Sequence, residues 1–225
     1  MSRAGYIIKI KGDNMSDNSK KVEFNLNKHT FRLLQNEPFF AALSRRIHKM
    51  STTAIPTAGV KINEHTAQFE MVYNPEFMAS LSDDHKLGVL MHEFYHIIFE
   101  HVTGRLPPEG MNMMWNIATD LAINSHLVGK LPDIACFPEV GRFEDYPRDK
   151  SAEWYYSKLK KDEQFKPDEG EGDGDGQGGQ SDGDDDSQGG SGSQQFDSHE
   201  GWGDVSDEAK QMAKERMKQA VSDAA

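Results

Sequence analysis

Cysteine is nearly absent from this chain: Cys136 is the one thiol in 225 residues, which excludes an internal disulfide framework. Long apolar runs are missing too. No segment approaches the ~20 consecutive apolar residues that a membrane-spanning helix requires, and the stretch Met1-Ser-Arg-Ala-Gly-Tyr-Ile-Ile-Lys lacks the apolar core of a secretory signal. Both absences lead to the expectation of a cytoplasmic location with no membrane contact. Basic residues are missing from one stretch above all: residues 167 to 200 hold eleven Asp or Glu and no Lys or Arg, and so carry almost all of the net charge of -12. The remainder is nearly neutral and offers no basic face for tracking phosphates, which argues against nucleic-acid binding. What is left has the length for one real hydrophobic core and a small appendage.

Four segments emerge from the pattern along the chain. Residues 1–25 mix charge with a short β-like piece, Tyr6 to Ile10, contain a second potential start at Met15, and read as a partly disordered N-terminal segment. Residues 26–165 hold the periodic signals of a folded domain. Residues 166–195 are almost only Asp, Glu, Gly, Ser and Gln, a composition that buries too little apolar surface to offset chain entropy, so they read as a flexible acidic linker. Asp173-Gly-Asp-Gly and Asp182-Gly-Asp-Asp-Asp invite a calcium reading, but no flanking helix or Glu at the twelfth loop position supports it. Residues 196–225 form a C-terminal helical segment, with a charged helix from about Ser206 to Ser222.

Within the second segment, Phe31, Leu34, Phe39, Leu43 and Ile47 suit an amphipathic helix from Leu26 to Met50, interrupted near Pro38. Val60 to Asn63 and Ala67 to Tyr73 alternate apolar with polar around Glu64-His65-Thr66, which predicts an antiparallel hairpin with one covered face. Ser82 is an N-cap with Asp83 and Asp84 in the first turn, and the helix it opens should run to about Val102. A second apolar helix spans roughly Met111 to Leu127, and a third Ser151 to Lys161. The fold class is therefore α+β, mainly helical with a small antiparallel hairpin sheet.

The first of those apolar helices carries VLMHEFYHIIFEH, residues 89 to 101. His92 and His96 are one turn apart, so two imidazoles can reach one ion, and Glu93 lies where it can serve as general base without ligating. In a chain of this composition an accidental His-Glu-x-x-His has a chance of about 3%, so a third ligand has to carry the case. Two residues compete for that place. His101 is rotated by about 140° from His96 and about 180° from His92 if the helix continues, and no glycine in Ile97-Ile-Phe-Glu breaks it, so it reads as a helix-end residue near the negative dipole. Asp120 stands in the apolar run Met114 to Asn124, where a carboxylate needs a partner: either a metal held with the two histidines, or Arg105 or Arg45. Asn116 and Asn124 fall one turn either side of Asp120 and could orient the ligands. His85 lies about 10 Å along the axis from His92, too far to share an ion. Tyr73, Tyr155 and His126 are the available types for stabilising an oxyanion, and His199 beside Trp202 could cover the site or bind a partner.

His92-Glu-Phe-Tyr-His96 followed by Trp115-Asn-Ile-Ala-Thr-Asp-Leu-Ala-Ile-Asn124 resembles the metallopeptidase domain that precedes a von Willebrand factor A-like domain in bacterial and phage proteins, over roughly residues 28 to 160. Asp197-Ser-His-Glu-Gly-Trp202 resembles the segment after the acidic linker in such proteins. More broadly the chain is similar to zincin-type metallopeptidases, which implies Zn2+ held by His92, His96 and a downstream acid, with Glu93 as base. In a phage-encoded copy the expected location is the host cytoplasm. The sequence stops where an A-like domain would begin, leaving a truncated product, a short version or one part of a split system as alternatives.

Two functions compete at this stage. One is a zinc-dependent peptidase acting on a polypeptide, aligned beside the metal by Ala67 to Tyr73 as an edge strand. The other is a non-catalytic, zinc-stabilised binding module whose acidic linker and C-terminal helix engage a partner protein or ATPase, with His101 or His199 closing the coordination.

Overall fold

A computed structural model describes residues 24–162 and 205–224. The β-like piece at Tyr6 to Ile10, the acidic linker and the cluster around His199 lie outside the described residues. The described part is mainly helical: α1 (Leu26–Asn36), α2 (Pro38–Ser44), β1 (His48–Ser51), β2 (Ala58–Asn63), β3 (Gln68–Tyr73), α3 (Pro75–Ser80), α4 (Asp83–Ile98), α5 (Met113–Asn124), α6 (Ala152–Leu159) and α7 (Asp207–Ala224), with a 3-10 turn at Gly141–Phe143.

Local signals set most helix starts. The side chains of Asn25, Asn74, Ser82, Asn112 and Ser151 each accept a hydrogen bond from a first-turn backbone N–H, so five helices begin on a residue that satisfies an otherwise orphaned donor. Pro38 opens α2, where its missing N–H costs nothing. The chain does not stay helical to Met50, however. Residues 48–51 form β1, which pairs in parallel with β3, while β2 pairs antiparallel with β3 in the register Val60 to Met71 and Ile62 to Phe69. The predicted hairpin is present, and its turn is held by Asn63 Oδ1 accepting from His65 and Thr66 N–H, both at 3.0 Å. The sheet has a third strand in the order β1-β3-β2. This corrects the expectation that Ala67 to Tyr73 is an edge strand: β3 is central, paired on both sides, and cannot receive a substrate strand.

Two apolar clusters flank α5. The larger gathers Leu33, Phe40, Leu43, Val60, Met71, Met78, Leu90, Phe94, Ile123 and Leu127 from α1, α2, the sheet, α3, α4, the end of α5 and the turn after it. The smaller joins Trp115, Ala118 and Leu121 of α5 to Phe143, Tyr155 and Leu159. Ten of the twelve α5 residues are buried, because this helix packs against α4 on one side and α6 on the other. α7 docks on α2 and β2 through Ala209, Ala213, Met217 and Ala220, which join the larger cluster. Among the described residues no helix is long and apolar enough to cross a membrane.

Candidate metal centre

α4 and α5 bring polar side chains together inside the protein. His92 and His96 point from α4 with their Nε2 atoms 3.0 Å apart. Asp120 Oδ1 on α5 lies 3.6 Å from His92 Nε2 and 3.5 Å from His96 Nε2. Donor atoms around a tetrahedral ion with bonds of about 2.0–2.1 Å are about 3.3–3.4 Å apart, so this triangle has the size of one cation's coordination face. His92, Glu93 and His96 are fully buried and Asp120 is 4% exposed. Among the described residues His92, His96 and Asp120 are the one group of three His, Cys, Asp or Glu side chains able to share an ion.

The hydrogen bonds behind His92 fix which nitrogen faces the cluster. The carbonyl of Cys136 can only accept, and Asn124 Nδ2 donates to it at 2.7 Å. That orients the Asn124 amide so that Oδ1 faces His92 Nδ1 at 2.8 Å, where the ring must donate. A neutral His92 then has its lone pair on Nε2, pointing at His96 Nε2 and Asp120. Two imidazole nitrogens and a carboxylate oxygen at such separations form a donor set for a cation, and the residues present fit a divalent metal.

Each predicted site residue has a definite place. His92, His96 and Asp120 converge. Arg105 does not pair with Asp120: its Nε and Nη2 donate to Glu153 at 2.8 and 2.6 Å, and its Nη1 donates to Phe99 O at 3.0 Å. Arg45 is exposed beyond α2. Glu93 lies beside His92 on α4, inside the protein. Asn124 contacts His92 directly, whereas Asn116 is buried and its Oδ1 accepts no hydrogen bond among the described residues. Of the oxyanion candidates, Tyr155 donates to Pro147 O at 2.7 Å within the smaller core, Tyr73 packs its ring on Phe24, and His126 is exposed against Tyr95 and Phe99. His85 is half-buried in the first turn of α4.

His101 departs from its expected position. α4 ends at Ile98, and Glu100 takes a left-handed φ of 60° that reverses the chain without a glycine. His101 is thereby folded back and fully buried, its N–H donating to His96 O at 2.9 Å and its Nδ1 3.3 Å from His96 Nδ1. The helix stops three residues short of His101, and a left-handed turn on a non-glycine residue leaves no signal in composition.

The family described as "Putative metallopeptidase domain" matches residues 21–225. The match thus includes the linker and the C-terminal helix as well as the region of α4 and α5. Neither a curated protein nor a solved structure matches the chain.

Proposed function

The chain belongs to this metallopeptidase domain family, and from that premise we propose that it is a zinc-dependent peptidase of the His-Glu-x-x-His type, with His92, His96 and Asp120 as metal ligands and Glu93 as general base. The observation that carries this reading is the convergence of two Nε2 atoms and one carboxylate oxygen within 3.6 Å of one another between two helices. A zinc ion bound there would supply Lewis acidity, acidifying water and polarising the scissile carbonyl. Glu93 would accept the proton that the attacking water gives up and return it to the departing amine. Asn124 would hold the His92 ring in its ligating orientation. A polypeptide is the substrate class that a peptidase domain implies.

The near-complete burial of the cluster favours a second reading, in which the metal is structural and the protein is a binding module that engages a partner through its acidic linker and C-terminal helix. A closed site of that kind needs a fourth protein ligand. Among the described residues three side chains converge, and His101 approaches the Nδ1 side of His96, away from the Nε2 atoms. That geometry favours the peptidase.

Zinc stoichiometry on the parent, His96→Ala and Asp120→Ala proteins tests the site before any substrate is known. One equivalent in the parent and a large loss in both variants is expected. A metal-free parent under zinc-replete conditions would reject the reading. Glu93→Gln should retain zinc and lose hydrolysis of any peptide the parent cleaves; undiminished turnover would remove Glu93 as the base.

A further inference from the structure

We infer that His101 is a positioning residue for His96, accepting a hydrogen bond from its Nδ1 and so directing its Nε2 lone pair into the cluster. This rests on the proposed metal site and extends it to a residue outside the His-Glu-x-x-His segment. The two histidines of α4 need the same thing: a neutral imidazole can offer Nε2 to a cation only when its proton sits on Nδ1. For His92 that proton goes to Asn124 Oδ1. For His96 the group facing Nδ1 is His101 Nδ1, at 3.3 Å. If His96 keeps its proton on Nδ1, His101 must present a bare Nδ1 and carry its own proton on Nε2. The pair is then an ordinary N–H to N hydrogen bond between two neutral rings.

The surroundings show that His101 is built into this position. Its backbone N–H is bonded to the His96 carbonyl, so residues 96 and 101 are tied through both backbone and side chain. Its ring meets Phe99 edge-on with centroids 5.8 Å apart and Trp115 at 6.2 Å, and it is completely buried. Glu100, whose left-handed backbone creates the reversal, is tethered by Lys214 of α7 at 2.5 Å. Phe99 O, on the other side of the turn, receives Arg105 Nη1. A solvent-facing helix-end histidine would need none of these supports. An imidazole placed behind an imidazole also leaves no anionic charge beside the ligand, unlike a carboxylate in the same place.

The test compares His101→Phe, which keeps an aromatic ring between Phe99 and Trp115 but cannot accept a hydrogen bond, with His101→Asn, which restores an acceptor. Zinc affinity is read by competition with a chromophoric chelator, and the melting temperature of the metal-free protein is read alongside. The expected result is a zinc affinity about 10–100-fold weaker in His101→Phe, with much of the loss recovered in His101→Asn and little change in metal-free melting. Parental affinity in a folded His101→Phe protein would overturn the assignment while leaving the metal site standing. A parent that binds no zinc would instead overturn the site and this assignment together. Should His101→Phe fail to fold, nitrogen-15 NMR of the zinc-loaded parent decides. A protonated His96 Nδ1 facing a bare His101 Nδ1 supports the proposal, and a protonated His101 Nδ1 overturns it.

Discussion

Asn124 accepts a 2.8 Å hydrogen bond from His92 Nδ1 through the same amide whose nitrogen donates at 2.7 Å to the Cys136 carbonyl. The side chain therefore couples a candidate ligand on α4 to the loop after α5. Asn124→Ala removes both bonds and leaves a half-buried carbonyl and a buried ring N–H to find other partners, a loss of about 1–3 kcal/mol for the ring N–H if it is left unsatisfied. Zinc affinity should fall about 10–100-fold at the same time. Asn124→Asp separates the two effects: a carboxylate still accepts from His92 but cannot donate to Cys136. That variant should keep most of its zinc affinity and lose stability. Chelator competition and urea unfolding, run on both proteins, check the split. Equal zinc affinity in the parent and Asn124→Ala would show that His92 does not depend on this amide.

The contrast between Asn124 and His101 shows what could be read from the sequence. Asp120 and Asn124 were legible because polar side chains in an apolar helical run need partners, and helical spacing is a local rule that survives folding. Ser82 announced its helix by a local rule of the same kind, a side chain that caps the first turn. The strand β1 was hidden because its four residues pair with β3 some twenty positions later, and nothing within His48–Ser51 encodes that pairing. The short helix α3, opened by Asn74 and Pro75, was also missed between two stronger signals. His101 depends on a left-handed Glu100, a conformation that contacts with α7 support and that local sequence does not announce.

Gly88 permits the contact that seats α4 beneath the turn after α5. A Cβ at this position would lie 1.8 Å from Lys130 O, and the obstacle is backbone rather than a flexible side chain. Helix propensity alone favours Gly88→Ala by about 1 kcal/mol, while overpacking of a rigid contact costs about 1–3 kcal/mol or more. The clash should win. A net loss of stability is expected in urea unfolding, and because Lys130 lies six residues after Asn124, zinc affinity should weaken as well. A variant more stable than the parent would mean that the two segments do not meet this closely.

The Arg105–Glu153 pair ties the turn after α4 to α6. Glu153 is held down to about 2 chiefly by its hydrogen bonds from Arg105. Its folded-state pKa is thus below the unfolded value of about 4.3, so the stabilisation is complete above that value and disappears as pH falls through about 2. Because the carboxylate is 54% exposed, solvent screening limits the contribution to about 1 kcal/mol at most. Glu153→Gln should flatten the dependence of unfolding free energy on pH between about 4.3 and about 2, with a smaller stability difference from the parent at the acid end than at neutral pH. An unchanged slope in that window would show that the ion pair does not form in solution.

α7 belongs to the core although more than forty residues separate it from α6. Ala209, Ala213, Met217 and Ala220 recur every three or four positions and present one narrow apolar stripe. Small side chains let the helix approach α2 and β2 closely, and Arg216 Nη1 caps the hairpin turn through Thr66 O at 2.6 Å and Ala67 O at 3.2 Å. Ala213 is completely buried, so Ala213→Asp places a charge where water cannot reach it; severe destabilisation is the ordinary result of that mechanism. Undocking α7 would relieve the charge but would uncover Met217 and Ala220 and separate Lys214 from Glu100. The variant should therefore lose more than about 2 kcal/mol in unfolding free energy, be cleaved faster within residues 207–224 by limited proteolysis, and bind zinc more weakly through the loosened turn that carries His101. If Ala213→Asp matched the parent in melting and protease resistance, α7 would be a tethered tail and the support of Glu100 by Lys214 would have no consequence for the metal centre.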